Sequence, residues 1–568
     1  DLLSIHASED SFQKQIQKIE RSLAHIQFTA VLKPAILTFQ ELGKELKEAD
    51  SYVACLCAQN TADGQARQHQ ANLSKLKAAY QNLTLILGEK LKSLDEVAFK
   101  TMLYDPDLKE IAFHLKELRK LSKQKLDVQK EKIINDLSAY GYHGFWDLYC
   151  HFVGKMRISI GGKEYSAGQV ENMLNHEDRK IRVDSFKQWV EAWSKESDFL
   201  AQILNHMAGF RLKVYEERGW NDLLFEPLND CRMDKKTLEM MWEVIQKNKP
   251  IFLRYLKKKA ELLRMEKLAW VDLNAPLNSS PISQVSYDDA KMLLLRHFEN
   301  YSPRFSGFTQ KAFDRKWVEA EDRAGKTMGG FCSPFPKTKE SRIFMTYGGS
   351  AYSLATLAHE LGHAYHFERL HNLPFFQQNC GMNVAETAST FAEMVFIDGA
   401  IKEAKDKAEK LSLLDDKLRR AIQFFMNIHA RYLFELNFYE ERKMGFVSAQ
   451  RLSQLMEEAQ KKAYLESLSD YFPQFWASKL HFYYTEVPFY NFPYTFGFLF
   501  SLGLYVFGKK EGSAFMDTYD RILEDTARMS VEELAQKHLG VDLSQPQFWQ
   551  EAIDDLKQDV EEFLAISS

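Results

Sequence analysis

The run from Tyr352 to Phe367 is an uninterrupted helical stretch that carries the pentad His359-Glu360-Leu361-Gly362-His363. On a helix, positions i and i+4 stack on one face, so two imidazoles at this spacing can grip one ion, with zinc the first candidate. Glu360 follows the first histidine and is placed to polarise a water at such an ion. The pentad also constrains the fold. Two histidines leave zinc under-coordinated, so a third ligand must arrive on another element packed against this helix.

Several residues compete for that third position. His366 shares the histidine face, but three ligands along one straight helix span about 10 Å of rise, too far for one ion. It is expected beside the site or on the substrate side. Glu368 has a worse angular position. The next helical pattern, Asn383 to Phe396, offers Glu386 and Glu393, seven residues apart and roughly on one face. Glu386 lies in its first turns among Ala385, Ala388 and Ser389, small residues over which another helix can pass closely. Glu393 would then hydrogen-bond a ligand histidine from behind.

The rest of the chain reads as mainly α. Glycine and proline are sparse, and residues 6–100 carry helical spacing with Lys/Glu-rich outer faces, broken near Asn60–Gly64; residues 107–140 repeat the style. After Tyr165 the stripe Phe186, Trp189, Trp193, Phe199, Ile203, Met207, Phe210 predicts one long helix packed as core. Ser286 and Asp289 frame a capping-box-like helix start. Two regions read as β. Alternation on either side of Gly161-Gly162, from Met156 to Tyr165, predicts a tight hairpin. Residues 329–334 and 342–347 predict a small sheet beside the motif helix. The strand Ile343–Tyr347 is expected to offer a free edge to an extended peptide. A boundary near residue 190 divides the chain into an N-terminal helical domain, 1–190, and a catalytic domain, 191–568.

Composition excludes several classes. A net charge of −5 with no basic block argues against a nucleic-acid partner. The six cysteines form no CxxC pair, so free thiols in a reducing cytoplasm are expected. Asp1 to Asp10 is too polar for a signal peptide. Val487–Gly508 has no charged residue, but its tyrosines, glycines, Asn491 and Pro493 suit a buried segment better than a membrane span.

The residues His359 to His366 resemble the extended HExGHxxH signature of the M3 metallopeptidases, the thimet oligopeptidase and oligoendopeptidase F group. Val384 to Glu393 is similar to that family's second motif, whose first glutamate is the third zinc ligand; here that is Glu386. Met156–Tyr165 and Trp270–Pro276 resemble the oligoendopeptidase F branch. The resemblance covers most of the chain from about residue 110 and implies two helical lobes flanking a deep channel, one Zn²⁺ at its floor and short peptides as substrates. It also assigns carbonyl and oxyanion contacts to His481, Tyr490 and Tyr494. In that stretch the chain has Thr485-Glu486-Val487-Pro488 where the thimet branch has a glycine-rich loop.

The expected activity is therefore zinc-dependent endopeptidase cleavage of short oligopeptides, with His359, His363 and Glu386 on the metal and Glu360 as general base. Two alternatives stand beside it. One is a metallo-exopeptidase that captures the peptide C-terminus with a cation such as Arg342, Arg431 or Lys479. The other is a helical peptide-binding scaffold without catalysis.

Overall fold

The computed structural model describes residues 2–277, 285–327 and 329–567, with Ala351 and Ser513 described by backbone alone. The chain forms two compact units, each assembled from three separate segments. Unit one comprises Asp1–Lys132, Ile282–Gly399 and Phe507–Gly540; unit two comprises Ile133–Pro281, Ala400–Val506 and Val541–Ser568. A cut near residue 190 falls inside the helix Arg179–Lys195 and coincides with no unit edge.

In unit one the helices Glu9–His25, Leu32–Gln59 and Gly64–Ser93 follow the expected pattern, and the break at Asn60–Gly64 is real. Asp63 accepts from Gln65 and Ala66 N–H at 2.9 and 3.0 Å and so starts the third helix. Their apolar faces bury Phe12, Ile16, Leu46, Val53 and Leu73 together with Phe335 of the sheet. The N-terminal helices thus brace the sheet: Ser51 Oγ donates to Pro334 O at 2.7 Å, and buried Glu48 accepts from Lys337 N–H at 2.9 Å.

The small sheet has the order β3-β5-β4, counting as β1 and β2 the strands Arg157–Ile160 and Lys163–Ser166 of a hairpin in unit two. Here β3 is Val318–Glu319, β4 is Phe331–Phe335 and β5 is Glu340–Phe344. β3 runs parallel and β4 antiparallel to β5. The expectation of a free edge on Ile343–Tyr347 is corrected. That segment overlaps the central strand: Ile343 N–H donates to Trp317 O, Met345 N–H to Glu319 O and Tyr347 N–H to Ala320 O. β3 and β4 are the edge strands, and β4 carries Pro334, a residue that edges tolerate because it has no N–H to offer.

Unit two opens with the predicted hairpin, β1 Arg157–Ile160 paired with β2 Lys163–Ser166. Gly161 and Gly162 both adopt positive φ, 59° and 80°, as a two-residue turn of this twist requires. The long helix expected next is two, Arg179–Lys195 and Ser197–Arg218. The break at Glu196 turns Phe199 out of the stripe to 40% exposure, while Trp189, Trp193, Ile203 and Met207 remain buried. Asp272, fully buried, accepts from Arg179 at 3.0 Å and Arg182 at 2.8 Å. The uncharged Val487–Gly508 stretch supplies most of the helix Phe492–Glu511, whose Phe492, Phe496, Leu499 and Phe500 are core residues. No described helix is long and apolar enough to cross a membrane. None of the six cysteines is joined in a disulfide.

Candidate active site

The pentad lies on the helix Ala351–Leu370, capped by Ser350 Oγ, which accepts from Ser353 N–H at 3.2 Å. Leu354, Leu357, Ala358, Leu361, Ala364 and Tyr365 are all buried, so this helix is core on several sides. Gly362 explains how a second helix reaches it. A Cβ at Gly362 would lie 2.4 Å from Ala388 O and 2.6 Å from Ser389 Cα, backbone that cannot swing aside. The second motif packs there because both partners are small, as Ala385, Ala388 and Ser389 suggested.

That second motif is not one continuous helix. Met382–Ala385 is a single turn, Glu386 sits at the break with φ −85° and ψ 3°, and Thr387–Glu403 continues beyond it. Glu386 O then accepts from Thr390 N–H at 3.0 Å, so the residue begins the longer helix with its side chain turned to the histidines.

The three candidate ligand atoms His359 Nε2, His363 Nε2 and Glu386 Oε2 converge. Glu386 Oε2 is 3.2 Å from His359 Nε2 and 3.4 Å from His363 Nε2. Donor atoms each ~2.0–2.1 Å from one ion at tetrahedral angles lie about 3.3 Å apart, so the spacing fits zinc. His359, His363 and Glu386 are the group among the described residues whose side chains can hold a metal. Glu393 stands behind His359, with Oε1 2.5 Å from Nδ1. A carboxylate only accepts, so Nδ1 donates to Glu393, and Nε2 is the nitrogen turned to Glu386 and the candidate metal position. Ser389 Oγ donates to Glu386 Oε2 at 2.9 Å and holds the carboxylate. Burial opposes ionisation of Glu386, but the two histidines outweigh it and keep its carboxyl well below the usual range.

Glu360 is 5% exposed, and its Oε2 has no hydrogen-bond partner. Burial raises its carboxyl above the ordinary value, against the pull of His363 and His359. Its other oxygen faces the start of the edge strand β4: a Cβ at Gly330 would lie 3.2 Å from Glu360 Oε1. The placement of His366 beside the reacting groups is corrected. Its buried Nε2 lies 2.9 Å from Thr526 Oγ1 and 3.3 Å from Leu523 O, at the end of the helix Phe515–Asp525. Burial lowers it to about 4, so it is a neutral core histidine that ties two helices. Glu368 pairs with Lys311 at 2.8 Å.

His481, Tyr490 and Tyr494 lie in unit two and form one aromatic cluster. Ring centroids are 5.1 Å apart for His481 and Tyr490, 5.8 Å for His481 and Tyr494, and 4.9 Å for the two tyrosines. Tyr484 packs on Tyr490 at 5.5 Å, whereas Tyr483 is fully buried and stacked on Tyr149 at 3.9 Å, away from this group. His481 Nδ1 is buried and unpartnered; burial, then Arg431 and Lys479, drive the ring down to about 2, so it stays neutral. Tyr490 follows Phe489, which holds a left-handed φ of 53°. Asn491 secures that turn by donating Nδ2–H to buried Glu435 Oε2 at 2.6 Å. Sequence reasoning named Gly362 and Gly330 only within their motifs, without a packing role, and passed over Glu435. For Gly362 the signal was available, as a glycine inside a helix whose partner motif is made of small residues.

The profile of Peptidase family M3 matches residues 172–555, and that of Oligopeptidase F matches residues 90–157. An oligoendopeptidase F homolog of Borreliella burgdorferi is 22% identical over 551 residues, 92% of this chain and 90% of its own. Oligopeptidase PepF of Bacillus subtilis is 22% identical over 419 residues, 70% of this chain and 60% of its own. The crystal structure of oligoendopeptidase-F from Enterococcus faecium superposes with a TM-score of 0.71 at 17% identity, covering 98% of this chain and 99% of its own. With well over half its length matched by the family profile, the chain belongs to Peptidase family M3 and is a metallopeptidase.

Proposed function

We propose that this enzyme is a zinc-dependent endopeptidase that cuts internal bonds of short oligopeptides. The observation that carries the reading is the 3.2 and 3.4 Å approach of Glu386 Oε2 to the two histidine Nε2 atoms. Bound there, zinc supplies Lewis-acid polarisation of the scissile carbonyl and lowers the pKa of a water toward ~7. Glu360 takes the proton of the attacking water and passes it to the leaving amine nitrogen. Its unpartnered Oε2 is the free acceptor that the first transfer needs. His481, neutral and thus able to donate from one ring nitrogen, joins Tyr490 or Tyr494 as hydrogen-bond donor to the substrate carbonyl and the oxyanion; this role rests on the family resemblance. The edge of β4 at Phe331–Ser333 offers backbone pairing to an extended peptide, beside Gly330 and Glu360. Free thiols fit a cytoplasmic enzyme, which is where we place it.

The test is cleavage of a quenched fluorescent peptide of about ten residues with both termini blocked, with and without a chelator, the cut read by mass spectrometry. An internal cut, abolished by chelation and restored by Zn²⁺, is expected. Cleavage only of peptides with a free C-terminus would replace the reading with the exopeptidase one. Chains that bind no metal would leave a scaffold.

A further inference from the structure

Unit two contains a pocket of about 170 Å³ that the chemistry above leaves unused. Its wall includes Arg431, Lys479, Gln423, Asn427, Trp270 and Phe475. Gln423–Asn427 is a π-helical turn, a departure from regular helix that recurs at functional sites. Asn427 Oδ1 accepts from Gln423 Nε2 at 3.2 Å and from Arg431 Nε at 2.9 Å. These bonds fix the guanidinium, whose Cζ lies 5.5 Å from the Phe475 ring centroid. Lys479 Nζ lies 6.0 Å from the same centroid.

Arg431 is 3% exposed, yet among the described residues neither it nor Lys479 has an ion-pair partner. Glu171 is the acid on this wall, and its side chain is exposed. Burial lowers Arg431 to about 10 and, aided by Arg431, Lys479 to about 8. Buried Arg431 and half-buried Lys479 share a wall whose one carboxylate, Glu171, is exposed and ion-pairs with neither, and an anion between the two cations lowers the cost of holding them there. Trp270 and Phe475, with ring centroids 5.2 Å apart, add an apolar surface beside the charges. A small inorganic ion would leave those rings unused.

We propose that this pocket is a subsite for a peptide carboxylate, held by Arg431 and Lys479, with Trp270 and Phe475 against the residue that bears it. The inference rests on reading the chain as an oligopeptide hydrolase. The carboxylate has two sources, the peptide C-terminus or an acidic side chain.

Two measurements test it. In the first, kcat/KM of the zinc-loaded enzyme is compared for a doubly blocked neutral peptide, the same peptide with a free C-terminus, and a blocked peptide with one glutamate. One carboxylate peptide should be favoured by about 10- to 100-fold, the range of charge-assisted hydrogen bonds, through KM. The ratio should fall toward one in Arg431→Gln and in Lys479→Met. Which peptide is favoured names the source. In the second, the metal-free protein is titrated with an acetylated dipeptide as free acid and as amide, following tryptophan fluorescence. The acid should bind more tightly in the wild type and lose that advantage in both variants, each first shown to be folded by circular dichroism. Equal binding of acid and amide, or a preference that survives both substitutions, overturns the subsite. Failure to cleave any peptide would overturn the proposed function instead, and the titration would still decide the subsite.

Discussion

The metal triad of unit one and the aromatic cluster of unit two are built on opposite principles. In the triad two of the three side chains are braced from behind, His359 by Glu393 and Glu386 by Ser389, and a backbone contact at Gly362 leaves no room to slide. In the cluster, rings stack on rings, His481 Nδ1 has no partner, and the turn that carries Tyr490 depends on one buried carboxyl. Ligation demands fixed distances, so the triad is made rigid from behind. For the role proposed for the cluster, a donor to a transient charge needs a dry, oriented setting, and packed rings can supply it.

The largest effect should come from the reacting carboxylate. Glu360→Gln should retain its metal while kcat falls by ~10²–10⁴ or more; near wild-type turnover would remove Glu360 as the base. Next come the aromatic donors. Phenylalanine at Tyr490 or Tyr494, whichever faces the oxyanion, should lower kcat by about 10²–10³ with little change in KM. If neither does, the cluster is core only.

The bracing is tested by metal content. Glu386→Ala should abolish stoichiometric metal, whereas Glu393→Ala should weaken affinity by about 10–100-fold; the reverse ranking would exchange the two carboxylates. Gly362→Ala asks whether the close contact matters. Overpacking of this kind costs about 1–3 kcal/mol, so a lowered Tm with weakened metal binding is expected; an unchanged Tm would mean that the helices can part.

The smallest effect concerns Glu435. Burial holds its carboxyl at about 7, above the ordinary 4.5. Its contribution to stability is therefore full below pH 4.5 and is lost as pH rises through 7, because the folded state must then carry a buried charge. Glu435→Gln should flatten that decline in a pH series of urea midpoints, and an unchanged slope would place the cause elsewhere.

What the sequence made legible follows the same division. Periodicity found the helices, and the positive-φ glycine pair found the hairpin. The i, i+4 histidines and the small-residue motif around Glu386 marked the triad because each is local. Strand order is not local: nothing near Ile343–Tyr347 announces that Val318–Glu319 will cover its other side. The break at Glu196 and the burial of His366 were hidden for the same reason, since both depend on partners far along the chain. His481, Tyr490 and Tyr494 became candidates through resemblance, because stacked rings leave no spacing rule to read.

The contact at Gly362 has a consequence for how the enzyme lives with scarce metal. Glu393 behind His359, Ser389 behind Glu386 and the backbone contact at Gly362 are interactions of the chain with itself, and none of them passes through the ion. Stripping the metal should silence the enzyme without melting it. A cell short of zinc would then hold an intact, idle stock of this protein, ready to work again on refilling and with no need for new synthesis.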